Sequence, residues 1–206
     1  MNYPPAHHQE QNFENAVRLI ENCPLGMLLT AEDDQPFCSH LPMIFKPESD
    51  HKIIVGHMDI RNPQIEHIKN GRTATIVFNG PETYISPSIY SSSQLPTWNY
   101  FKVHIKGDLK PIMETERVIQ SLCEMTAFLE PDKAFELPPD HPRMLAFIPH
   151  ILGFELTIES WEGKTKISQD KHPKDQRAAQ QAMIAQNPHH KELIDTLYDA
   201  HQTMRP

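Results

Sequence analysis

Tyr84 to Gly107 reads YISPSIYSSSQLPTWNYFKVHIKG, a strand, a polar loop and a second strand. The second strand opens on Thr97, Trp98, Asn99 and Tyr100. Polar and aromatic groups gathered where a strand leaves a loop can grip a flat polar ligand. Beyond them Tyr100, Lys102, His104 and Lys106 alternate with Phe101, Val103 and Ile105, so one face is apolar and the other can line a site.

Upstream, Asn12 to Cys23 carries Phe13, Val17 and Ile20 at helical spacing, widened by Ala16 and Leu19, and Pro24 stops it. Residues 25–30, 36–45 and 52–57 read as three strands of a meander, parted by an acidic turn at Glu32 to Gln35 and a turn at Pro47 to Asp50. A short helix follows, with Asn62 as N-cap, Pro63 at its first position and Gly71 just past its end. TATIVFNG at 73–80 gives a fourth strand. Downstream, Val118, Leu122, Met125 and Leu129 form one stripe of a helix over 114–129, residues 131–143 are a Pro-rich loop, and 151–161 is the last strand. Ala178, Ala179, Ala182 and Met183, then Leu193, Ile194, Leu197 and Tyr198, predict one or two terminal helices from Pro173 onward.

A chain of 206 residues and 23.8 kDa holds one sizeable core. The expected division is one domain over 1–172 and a helical extension over 173–206. Hydrophobic content of 38% and charged content of 22% exclude disorder, while 19 Pro against 7 Gly points to stiff turns. A net charge of -8 argues against an extended nucleic-acid footprint. DNA would need a local patch, and the stretch from Lys164 to Arg177, five basic residues against two acidic, is the one on offer. Cys23, Cys38 and Cys123 are odd in number, widely spaced and outside any metal-ligand spacing, which predicts reduced, buried thiols in the cytoplasm. MNYPPAHHQEQ at the start lacks the cationic segment and apolar stretch of a signal peptide, and no run approaches the roughly 18 apolar residues of a membrane span.

SHLPMIF at 39–45, GHMDIRNPQ at 56–64, YISPSIY at 84–90, PTWNYFKVHIKG at 96–107 and KTKISQDK at 164–171 occur in that order. With them the chain resembles the PaiB-type FMN-binding negative transcriptional regulators, over most of residues 1–175. These belong to the split-barrel flavoprotein superfamily that includes the pyridoxamine-phosphate oxidases. The resemblance implies an α+β fold, an antiparallel FMN-binding split barrel with flanking helices, and a homodimer holding FMN in a cleft between protomers. On this fold the 114–129 helix would close one end of the barrel or brace the dimer.

GHMDIRNP places His57 and Arg61 on the approach to a helix start, where a phosphate meets cationic N–H groups and a helix dipole. Taken alone, Arg61 is better read as a solvated surface residue and Asn62 as a plain cap. The resemblance implies phosphate contacts here, Arg61 first and His57 second. In SHLPMIF, alternation puts Cys38, His40 and Pro42 on one face and Ser39, Leu41 and Met43 on the other, so His40 is either a satisfied core histidine or a donor to a flavin ring. Trp98 and Tyr100 read equally as core aromatics. Thr97 and Asn99 need partners if buried, and a flavin ring would supply them. Lys102 lies on the polar face of that strand with Tyr100 and His104. In ESWEGKTKISQDK, Trp161 stands where the oxidases place a flavin-contacting Trp, but Lys166, Ser168 and Gln169 occupy the region of their substrate-holding Arg and His. The resemblance therefore implies flavin contacts at these positions and weakens oxidase activity.

The leading expectation is an FMN-binding regulatory module without a helix-turn-helix signature. The rival is a flavin-dependent oxidoreductase acting on a small molecule, and a third reading is a dimeric scaffold that has lost FMN. The pairs His7–His8 and His189–His190 could hold a metal, although adjacent histidines near chain ends are commonly incidental, so none is expected. Haem-binding relatives in the superfamily make His150 or the terminal pair haem candidates.

Overall fold

The computed structural model describes residues 4–47 and 52–203, with the side chains of Gln202 and Thr203 excepted. Most of the turn expected at Pro47 to Asp50 lies outside the described residues. Seven strands form a sheet in the order β1-β7-β4-β3-β2-β5-β6, and β6 pairs additionally with β7, so the strand order closes on itself. The chain forms two compact units, one of residues 24–77 and 105–161, the other of residues 1–23, 78–104 and 162–206.

In the 24–77/105–161 unit, β2 (Leu25–Glu32) and β3 (Gln35–Lys46) form an antiparallel hairpin. Its two-residue turn, Asp33 and Asp34, takes φ of 49° and 60°, the left-handed geometry whose twist matches flanking strands. β4 (Ile53–Asp59) lies antiparallel between β3 and β7 (Ile151–Lys166). α2 (Ile65–Lys69) is shorter than expected, because residues 60–64 form a turn and Gln64 is the N-cap. Asn62 still caps, accepting from Gln64 N at 2.9 Å, and Gly71 ends the helix at φ +64°. α3 (Thr115–Leu129) buries Val118 and Met125 against Ile44, Val55 and Ile112, with Leu122 and Ile151 packed around them. Leu129, expected on that stripe, is 44% exposed. α4 (Pro142–Phe147) lies where the Pro-rich loop was expected to run on.

In the other unit, β1 (Gln9–Glu10) pairs with the end of β7. α1 (Phe13–Asn22) is capped by Asn12 and buries Ala16, Leu19 and Ile20. β5 (Thr73–Ile85) and β6 (Thr97–Ile112) are both longer than expected, and the segments 78–85 and 97–104 belong here. The expected alternation holds on β6: Phe101 and Val103 are buried while Tyr100 and Lys102 are half-buried and His104 is exposed. The terminal helices are two, α5 (Pro173–Gln186) and α6 (Lys191–Thr203). α6 buries Leu193, Ile194, Leu197 and Tyr198, and packs against α1 and α5. Among the described residues no helix is long and apolar enough to cross a membrane.

Candidate functional site

β4 ends on His57, Met58 and Asp59 and turns sharply. Ile60 N donates to His150 O at 3.1 Å, Asn62 N donates to Asp59 O at 2.9 Å, and Asn62 Nδ2 donates to Ser39 Oγ at 2.8 Å. These bonds fix the turn that carries Arg61. Beneath it, Gln64 donates to Thr30 Oγ1 at 2.9 Å, the Thr30 hydroxyl is hydrogen-bonded to His67 Nδ1 at 2.6 Å, and His67 Nε2 faces Glu32 at 3.4 Å. This buried network anchors α2 under the turn.

Beside the turn is a cavity of about 630 Å³ lined by His57, Met58, Asp59, Arg61, Phe147, His150 and Ile151. Its volume falls within the roughly 300–1,000 Å³ typical of small-molecule and cofactor sites. Ser121 Oγ donates to Val118 O at 3.0 Å, so it can only accept from His57 Nε2–H at 2.8 Å. The other nitrogen, His57 Nδ1, is then a bare acceptor, and it is buried without a partner. Burial, reinforced by the charge of Lys46, lowers the His57 pKa to about 4, so the ring is neutral at pH 7. Arg61 donates from its backbone N and Nε to Asp59 Oδ1, at 2.9 and 3.0 Å, and from Nη2 to Oδ2 at 2.5 Å. Those bonds hold the Asp59 carboxyl well below the usual carboxylate range. They use two of the five guanidinium N–H donors and leave three. The Arg61 side chain is 85% exposed.

This cavity brings His57 and Arg61 together and leaves out Asn62, His40 and Trp161. His40 is exposed on β3 across from Met27, which removes its reading as a core histidine. Trp161 is half-buried in β7. Asp59 and His150 belong to the cavity wall although neither was expected there as a flavin contact. An Asp where a strand ends, whose side chain can accept from the backbone N–H two residues on, was the signal for Asp59.

The remaining candidates fall in the other unit. Asn99 is fully buried and its amide is satisfied within the chain: Nδ2 donates to Ser168 Oγ at 3.0 Å and to Tyr198 OH at 3.4 Å, and Oδ1 accepts from Ser168 Oγ at 3.2 Å. Tyr90 OH completes the cluster 2.7 Å from Ser168 Oγ. The partners expected from a ligand are thus side chains of this chain. Lys166 Nζ donates to Thr97 Oγ1 at 2.6 Å. Gln169 is tied to backbone, accepting from Ile167 N at 2.8 Å and donating to Thr165 O at 2.6 Å and His7 O at 2.8 Å. Thr97, Asn99, Lys166 and Ser168 share a second cavity of about 260 Å³. Trp98 is 50% exposed and meets Tyr84 edge-on, with ring centroids 6.3 Å apart. Lys102 Nζ donates to Glu82 Oε2 at 2.6 Å.

Residues 2–160 match the family described as "Putative FMN-binding domain". The chain belongs to this PaiB-type FMN-binding family. It is 28% identical over 201 residues to the Protease synthase and sporulation protein PAI 2 of Bacillus subtilis (strain 168), covering 96% of this chain and 97% of that one. An uncharacterised protein of Emericella nidulans is 25% identical over 214 residues, covering 82% of this chain and 84% of its own. Among solved structures, the FAD and haem binding protein from Mycobacterium smegmatis superposes with a TM-score of 0.64 at 17% identity, covering 84% of this chain and 80% of that one. The flavocytochrome Anf3 from Azotobacter vinelandii gives 0.60 at 14%, covering 77% and 69%. The fold is the antiparallel split barrel with flanking helices, and FMN is the cofactor of the family's domain. The β4 residues fit that cofactor, since the exposed Arg61 keeps three N–H donors that a phosphate can take and the orphaned His57 Nδ1 lacks a donor.

Proposed function

We propose that this chain is a PaiB-type regulatory module that holds one FMN in the β4 cavity and works as a homodimer. Arg61 takes the phosphate through its remaining N–H donors, and His57 Nδ1 accepts from a hydroxyl or N–H of the ligand. The observation that carries this reading is the cofactor-sized cavity whose wall joins Arg61, with three guanidinium N–H donors to spare, to His57, whose buried Nδ1 lacks a partner. An unsatisfied buried acceptor costs about 1–3 kcal/mol, which a ligand donor recovers on binding. A neutral His57 suits the role, because it adds no charge beside the apolar side chains of Met58, Phe147 and Ile151. Asp59 tempers the site by sharing Arg61 with any incoming anion. Bound FMN supplies reversible one- and two-electron redox chemistry. Homodimerisation is implied by the family resemblance, and Phe147, 56% exposed, offers apolar surface for a partner subunit to cover. The Bacillus subtilis relative is called a protease synthase and sporulation protein, and a link to sporulation suits a regulatory role.

Binding of FMN and of riboflavin, which lacks the phosphate, tests the assignment. Arg61→Ala should weaken FMN at least tenfold, the worth of one charge-assisted hydrogen bond, and leave riboflavin nearly unchanged. Equal affinity of wild type and variant for FMN would sink the phosphate assignment. Stopped-flow mixing with NAD(P)H addresses the regulatory part, since rapid flavin reduction would mark an oxidoreductase instead.

A further inference from the structure

We propose that the 260 Å³ cavity in the unit of residues 1–23, 78–104 and 162–206 is a second ligand site, built for a small oxyanion such as a phosphate or a short dicarboxylate. The inference rests on the reading above that FMN occupies the β4 cavity and leaves this one free. The cavity wall carries Lys166 and Lys171 against one carboxylate, Asp170, with His8 beside them. Lys171 donates to Asp170 at 2.8 Å and Lys166 to Thr97 at 2.6 Å, so each ammonium engages one of its three donors there. Because Thr97 Oγ1 accepts from Lys166, its own hydrogen is left to donate. An oxyanion in this space would meet two ammonium groups, a hydroxyl and an imidazole, a donor set suited to several oxygens at once.

Local charge agrees with the geometry. Burial and the positive charges of His7, Lys166 and Lys164 push the His8 pKa down to about 4, against an opposing pull from Asp170. Burial is the larger cause, and the lysine contribution is the part that an anion in the cavity would offset. The site is also preorganised. Asn99, Ser168 and Tyr90 satisfy one another and form a fixed floor, with Ser168 at φ 61°. Gln169 bonds both to Thr165 O and to His7 O, which joins the loop after β7 to the segment that carries His8. Donors fixed before binding lose little ordering entropy when the ligand arrives. The volume, just below the roughly 300–1,000 Å³ of typical ligand pockets, selects a compact ligand.

The test is a titration of the full-length, FMN-saturated protein with sodium phosphate and, in a second arm, with succinate, followed by NMR at the His8 ring and the Asn99 side-chain amide. The proposal expects saturable shifts with at least one anion and a His8 pKa raised by about 1 or more, as a nearby opposite charge does. Saturation by phosphate alone or by succinate alone identifies the natural class. Lys166→Met and Lys171→Met should each weaken anion binding about tenfold, and Lys174→Met, at an exposed position, should not. Absence of saturable shifts in the wild type overturns the site, so a variant that fails to fold leaves the test intact. Equal weakening by Lys174→Met would also overturn it. So would a loss of FMN affinity in Lys166→Met matching its loss of phosphate affinity, which would make the cavity part of the flavin site. Arg61→Ala should leave anion binding here unchanged, so failure of the β4 assignment and failure of this one are distinguishable.

Discussion

His57 owes its neutrality to position. Its Nε2–H is committed to Ser121, and burial disfavours a second proton. An unfolded chain releases the residue to its ordinary value of 6.5, whereas the folded chain holds it near 4. Stability from this residue is thus fully present above about pH 6.5 and is lost as pH falls toward 4, because only the unfolded state takes up the proton. The loss approaches about 3 kcal/mol, at 1.36 kcal/mol per pH unit of difference. Urea denaturation at pH 7 and pH 4.5 measures it, and His57→Gln should flatten the slope between them. An unchanged slope in that variant would assign the acid sensitivity elsewhere. Asn99 shows the opposite arrangement, a buried polar group with every partner inside the chain. Asn99→Leu should cost about 1–3 kcal/mol by stranding hydroxyls of Ser168 and Tyr198, read as a fall in the urea midpoint. Sequence alone did not separate the two, since burial and a polar side chain look identical until the partners are known.

At the scale of elements, Gly107 explains why β6 carries its motif in that form. A Cβ there would overlap the carbonyl oxygen of Thr157 on β7, so the approach of the two strands requires a residue without a side chain. Gly107→Ala should destabilise the protein by about 1–3 kcal/mol, measured as a lower Tm. The alternation along β6 and the stripe on α3 were legible because period 2 and period 3.6 survive in the sequence. Strand ends were not. β7 runs on to Lys166 because its last residues pair with β1, a partner only two residues long that leaves no periodic trace. α4 was hidden by prolines, although Pro142 occupies the first turn of a helix, where proline is tolerated. α2 shrank because Asn62 caps a turn before it caps a helix.

Across the whole molecule, six of the twelve candidate residues fall into two cavities, one in each unit. His57 and Arg61 meet at the end of β4, while Thr97, Asn99, Lys166 and Ser168 meet where β6 begins and β7 ends. Motifs in chain order gave the family and its cofactor but could not say which motifs share a wall, because that follows from strand register and from the path of β7 past Trp161. Separation of the sites makes the central claim testable by stoichiometry. The most direct measurement is a flavin fluorescence titration of the purified protein with FMN, run in parallel on Arg61→Ala. The account predicts saturable quenching at one FMN per chain for the wild type and at least tenfold weaker binding for the variant. Absence of saturation in the wild type, or the same dissociation constant for both proteins, would contradict it.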